Sequence, residues 1–227
     1  MTLLAKLWYY DIGDNMKISK VEFVFKLLIL IISGIGLYLN FRIAPVRYMM
    51  LYFTIISNLA VFIFYLVTLI LYLTKKLKRR DLYHIIKGMI TIDITLTLVV
   101  YNLFLRNVEF YQDHLIACTF VHLITPTLVM LDYVIFSEKG NLKTRYPVYW
   151  SLSIVAYGIF CYIYEGLGGK FLDGSTCPYY YMDVNKYGFI GVTIFSITIF
   201  TTFLAYGYFV LYLDTLSSKS ESISFKK

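Results

Sequence analysis

Apolar residues along this chain run in blocks of about twenty, the length of helix that crosses the hydrocarbon core of a bilayer. Six blocks reach it, at 21–40, 48–73, 83–105, 114–136, 147–166 and 187–213. The first reads VEFVFKLLILIISGIGLYLN, and the second, YMMLYFTIISNLAVFIFYLVTLILYL, is long enough to tilt. Strict apolar–polar alternation, the mark of a membrane strand, is missing, so helices are expected throughout. The pattern predicts an all-α membrane protein, a six-transmembrane-helix bundle over 18–214. A short interfacial segment at 1–17 precedes it, and a tail at 215–227 completes the chain. No internal repeat is visible, and the longest loop, about 167–186, leaves no room for a soluble domain.

Composition agrees. Of 227 residues, 59% are hydrophobic and only 15% charged, where a soluble domain carries about 25%. That excludes disorder, and three cysteines (Cys118, Cys161 and Cys177) are too few for a disulfide framework. Cys118 and Cys161 both lie near the outer ends of helices, either as a pair or as small buried hydrophobes. The net charge of +7 is the odd feature, because a basic chain ordinarily suggests nucleic acid. Its distribution gives another answer. Arg42, Arg47, Arg106, Lys170 and Lys186 fall in one set of loops, and the other 16 of the 21 basic residues fall on the opposite side or at the helix ends facing it. By the positive-inside rule both termini are then cytoplasmic. No nucleic-acid partner is expected, and the dense run Lys75, Lys76, Lys78, Arg79 and Arg80 suits anionic lipid. Residues 1–17 hold Asp11 and Asp14 beside a short apolar patch, which reads as an interfacial segment and not a signal peptide.

Polar groups inside the blocks are the candidates for chemistry, since each is expensive at membrane depth. At a rise of ~1.5 Å per residue, and with helix two entering at Tyr48, Thr54 lies roughly 9 Å and Asn58 roughly 15 Å below the outer surface. On the same scale His122 and Thr97 lie roughly 12 Å down, and Asp93 roughly 18 Å. Thr54 and Asn58 share a face of helix two; Asp93, Thr97 and Tyr101 share a face of helix three. A hydroxyl, an imidazole and a carboxylate in one dry band are the components of nucleophilic acyl transfer. Here Thr54 is the nucleophile and His122 the base, with Asp93 or Asn58 fixing the tautomer. Asn58, Thr97 and Tyr101 are candidate oxyanion donors or chain-positioning groups.

Each of these has a plainer reading. A membrane Thr commonly bonds its own helix carbonyl, and a buried His commonly bridges helices. His114, Cys118 and His122 recur at i, i+4, i+8, a spacing in which two neighbours can share zinc, though three drift around the helix; no metal or cofactor is expected. Asp132, near the inner end of helix four, reads as an interface charge reaching water or basic loop residues, and Glu165 as its outer counterpart. Pro126, one turn after His122, frees a carbonyl and kinks the helix. The loop GLGGKFLDGSTCPYYYMDVNKYG reads as an aromatic belt docked by Pro178 and Tyr179–Tyr181 at headgroup depth, or as a lid over the pocket.

Three stretches, YFTIISN at 52–58, HLITPTLVMLDYVIF at 122–136 and PYYYMDVNKYGF at 178–189, occur in this order among six helices. Together they resemble the androgen-induced-gene-like family of six-helix membrane hydrolases, and its bacterial branch more closely. The branch's pattern of a His, a Pro four residues on and a closing Leu-Asp pair maps onto His122, Pro126, Leu131 and Asp132. Its loop motif before the last helix maps onto CPYYYMDV at 177–184, which includes Tyr179 and Asp183. The chain departs from it in having Glu165-Gly166 where relatives often show Arg-Gly. Animal members hydrolyse esters of hydroxy fatty acids with a Thr in helix two and a His in helix four. The resemblance therefore implies a lipid-ester hydrolase with Thr54 and His122 catalytic, its substrate drawn from the membrane and its expected location a bacterial plasma membrane. The rival readings are a small proton-coupled transporter and a non-catalytic lipid-binding protein, each using Asp93 and His122.

Overall fold

The computed structural model describes residues 19–78 and 81–224, the side chains of 110, 111 and 219–224 excepted. The expectations for segment 1–17, for Arg79 and Arg80, and for the tail lysines lie outside the described residues. Among those described there is no strand. Six helices are long and apolar enough to cross a membrane: α1 (Lys20–Ile43), α2 (Phe53–Leu73), α3 (Asp81–Leu105), α4 (Leu115–Phe136), α5 (Tyr146–Gly166) and α6 (Val184–Ser218). The chain is an all-α, six-span, multi-pass membrane protein.

The distribution of side chains says what solvent these helices meet. On α1 the buried positions are Glu22, Lys26, Ile29, Ser33, Gly36, Leu37 and Asn40, a stripe at three- and four-residue spacing that is mostly polar or small. Lys26 is 0% exposed, while Val24, two residues away, is 63% exposed. Charged groups inside and aliphatic groups outside invert the soluble order, and lipid is the surrounding that makes both favourable.

The helices divide into two compact units. One holds 19–43 with Ser57–Ser137; the other holds Ala44–Ile56 with the residues from Glu138 onward. In the first, Ile29, Val61, Tyr65, Ile90, Ile94 and Val129 form a core to which α1, α2, α3 and α4 all contribute. Close approach of α1 to α4 depends on Gly36, where an added Cβ would stand 3.1 Å from Val121 and 3.2 Å from Phe120. Small residues at such crossings let membrane helices gain dispersion contacts over their length.

The second unit contains the first turn of α2, the helices α5 and α6, and the loop joining them. The second hydrophobic block does not form one helix. Val46–Met49 makes a separate short turn of helix, i→i+3 bonds from Leu51 to Tyr48 and from Tyr52 to Met49 break the run, and α2 starts only at Phe53. Thr54 therefore lies in the first turn of its helix, not six residues into it as the hydropathy implied. At the other end α6 is part of a helix continuing to Ser224, past the apolar block, with a bend at Gly188 where φ is 68°, a value that favours a residue lacking Cβ.

Candidate functional site

In the first unit, α4 carries the densest polar chemistry. The turn Phe120–Ile124 is π-helical, and so is the last turn of α3, Tyr101–Leu105. Such turns insert one residue into a helix and are frequent at functional sites. The two meet: the rings of Tyr101 and His122 stack with centroids 4.2 Å apart and planes 19° apart. Both side chains are buried, at 1% and 3% exposure.

The π turn also leaves a carbonyl to be satisfied. The Thr125 N–H closes onto the Phe120 carbonyl, and the next residue, Pro126, has no N–H to give. The Val121 carbonyl thus loses both helical donors. Asn58 replaces them from α2, its Nδ2 donating to that oxygen at 3.0 Å. Asn40 does similar work from α1, with Nδ2 donating to Gly36 at 2.8 Å and to Ala117 at 3.2 Å. Asn58 is here a clasp between helices, one of its two amide N–H groups committed to that bond.

His122 Nδ1 lies 3.0 Å from the Cys118 carbonyl oxygen. A carbonyl only accepts, so Nδ1 carries the proton of the neutral ring and the basic lone pair is on Nε2. A backbone oxygen therefore fixes the tautomer, the part assigned to Asp93 or Asn58 from the sequence. Asp93 and Thr97 are both buried on α3. The Thr97 hydroxyl lies 3.0 Å from that of Ser57 on α2 and 3.3 Å from the Asp93 carbonyl. Among the described residues no group of His, Cys, Asp or Glu is arranged to hold a metal ion.

Asp132 does not reach water or loop residues, contrary to expectation. It is 0% exposed, and two helix lysines hold it: Lys26 of α1 at 2.6 Å from Oδ1 and Lys87 of α3 at 2.8 Å from Oδ2. Tyr65 of α2 donates to Oδ2 at 3.0 Å, and Glu22 lies 3.3 Å from Lys26. Two ammonium groups and two carboxylates sum to zero charge, which is what a buried cluster requires. Ten residues along α4, roughly 15 Å of helical rise, separate it from His122, so it ties four helices together and takes no part at the imidazole.

Thr54 belongs to the second unit, with a hydrogen-bond system of its own. The Tyr179 hydroxyl bonds the Thr54 side chain, the Thr54 backbone and Tyr157. The Tyr157 hydroxyl donates to the Leu51 carbonyl at 3.0 Å and accepts from the Phe53 N–H. These are first-turn N–H groups of α2, which no helical carbonyl reaches; two phenols cap them. Burial pushes the Tyr179 phenol up to about 12, against the opposing pull of its Thr54 bonds.

The loop between α5 and α6 makes this possible by folding inward. Phe171, Tyr179 and Tyr181 are buried, while Tyr180 is 42% exposed. Phe171 packs against Tyr52 at 5.7 Å and Tyr164 at 5.3 Å, and Tyr181 stacks on Phe195 at 4.7 Å. The Leu172 N–H donates to the Tyr52 hydroxyl at 3.2 Å. A belt at headgroup depth would turn these rings outward; only Tyr180 does so. Asp183 caps α6, its Oδ1 accepting from the Asn185 N–H at 2.9 Å, as short acidic side chains do at helix starts.

The class defined by this fold is a multi-pass, all-α membrane protein with buried polar chemistry in both units. No protein-family model matches the chain, and comparison with curated proteins and with solved structures finds no match.

Proposed function

We propose that the chain is a membrane-embedded hydrolase of a lipid ester, with Thr54 as nucleophile and His122 as base. The observation that carries this reading is the buried His122 ring, protonated on Nδ1 by its bond to the Cys118 carbonyl, so that Nε2 is the atom able to take a proton. Thr54 Oγ1 attacks the ester carbonyl as His122 Nε2 removes its proton, and the imidazolium then protonates the departing alcohol. Water, activated by the same imidazole, hydrolyses the acyl-threonine and frees the acid. A lipid dissolved in the bilayer reaches such a site laterally, as suits helices that bury Lys26, Lys87 and Asp132 and turn aliphatic groups outward.

The orientation belongs to the same reading: both termini on the cytoplasmic side of a bacterial plasma membrane, with the basic run from Lys75 against anionic headgroups. The test is labelling of purified protein by a fluorophosphonate probe. Loss of labelling in both Thr54→Ala and His122→Ala supports the enzyme; undiminished labelling in either overturns the assignment. Asp93-dependent flux in liposomes, with no adduct, would establish the transporter instead.

A further inference from the structure

We propose that the Tyr179 hydroxyl is the donor that binds the ester's carbonyl oxygen as Thr54 attacks, with Tyr157 holding the phenol in position from behind. The inference rests on the hydrolase reading and adds to it a residue for which neither motif nor depth argued this role.

Two phenols meet at the first turn of α2, beside Thr54. The Tyr157 hydroxyl donates to the Leu51 carbonyl at 3.0 Å and accepts from the Phe53 N–H, and it is hydrogen-bonded to the Tyr179 hydroxyl. The Tyr179 hydroxyl in turn meets the Thr54 side chain and the Thr54 backbone N–H. A neutral phenol and backbone groups do not take a hydroxyl proton, so the base is another group.

Attack changes what Tyr179 receives. Thr54 gives its proton to His122 Nε2 and bonds to the acyl carbon, and the carbonyl π pair moves onto oxygen. As an ester oxygen Oγ1 no longer donates and accepts only weakly, so its contact with Tyr179 loosens at that moment. The new oxyanion is two bonds from the Oγ1 that Tyr179 was touching, within reach of the same hydroxyl. Turning the Tyr179 O–H to the oxyanion costs little, because Tyr157 keeps the Phe53 N–H and the Leu51 carbonyl. Collapse of the tetrahedral intermediate breaks the bond to the alkoxide, which takes the proton from the imidazolium, and Tyr179 turns back. A neutral phenol is what the role requires, and burial keeps Tyr179 protonated at any physiological pH, with its pKa pushed up to about 12. The aromatic packing of the loop brings this phenol to the first turn of α2, with the Tyr179 ring 6.1 Å from that of Tyr52.

The experiment compares the full-length wild type with Tyr179→Phe, Tyr157→Phe and Thr54→Ala, all in detergent, on the p-nitrophenyl ester of a medium-chain fatty acid. Tyr179→Phe keeps the ring that docks the loop and removes only the donor. Loss of one oxyanion donor lowers kcat by about 10²–10³-fold, while a group acting only in the transition state leaves KM within about threefold. Tyr157→Phe, which loosens Tyr179, is expected to lower kcat by about tenfold, with KM again held. It also keeps the proposal falsifiable if Tyr179→Phe does not fold. A Tyr179→Phe enzyme with wild-type kcat, or a loss confined to KM in either variant, overturns the proposal. If Thr54→Ala retains wild-type turnover the hydrolase reading itself falls; if Thr54→Ala is inactive and Tyr179→Phe is not, only the role of Tyr179 falls.

Discussion

Cys177 shows how an inward-folded loop alters single residues. It is half-buried, and burial, reinforced by the nearby carboxylates of Asp183, Glu165 and Asp173, pushes its thiol up to about 11. Only the thiolate is alkylated. In a variant with Cys118 and Cys161 replaced by alanine, iodoacetamide labelling of Cys177 is expected to rise tenfold per pH unit to about pH 11, where an ordinary thiol levels off near 8.5. A plateau below pH 9.5 would mean that the loop does not bury it. The raised value also signs the stability: protonated thiol is favoured in the folded state, so the loop weakens as pH rises from 9 towards 11. Of the residues singled out from sequence, His122 is buried as expected, because an imidazole within an apolar helix is conspicuous. Tyr157 could not be singled out, since the chain has 23 tyrosines and nothing local distinguishes the one that bonds Leu51, 106 residues away.

Between elements, the decisive feature is the π turn of α4. It and Pro126 together strip the Val121 carbonyl of helical donors, and Asn58 of α2 answers it. Leaving a buried carbonyl unmet costs about 1–3 kcal/mol, so Asn58→Leu is expected to destabilise by that amount. Pro126→Ala restores an N–H where the carbonyl needs one, and in that background the same Asn58→Leu is expected to cost less than half as much. Thermal unfolding of the four proteins in detergent measures the difference; equal costs in both backgrounds would mean that Asn58 serves something other than the π turn. The spans themselves were legible in hydropathy, because lipid imposes the length of an apolar helix. The start of α2 was not. Tyr48–Tyr52 is as apolar as the helix after it, and the break is held by phenols from α5 and the loop before α6. Lys26 and Lys87 stand as charges within apolar runs, but their convergence on Asp132 depends on which faces of α1, α3 and α4 meet, which no single stretch records.

For the whole molecule, an even number of spans and a basic excess on one set of loops underlie the proposed orientation, both termini cytoplasmic. Reporter fusions at residue 1 and residue 227 should both be active in a cytoplasmic reporter and silent in one that requires export; opposite outcomes at the two ends would remove a span from the account. Hydropathy cannot show that the helices form two compact units, because it measures each stretch against lipid and not against other helices. Thr54, with its tyrosines, and His122, with its fixed tautomer, each come from one of them. If Thr54 is the nucleophile it forms a covalent bond to an acyl-like electrophile, which peptide mapping by mass spectrometry after fluorophosphonate treatment detects. A single phosphonyl group on Thr54 is expected, absent in His122→Ala. No adduct at saturating probe, or an adduct on any other residue with Thr54 unmodified, would contradict it.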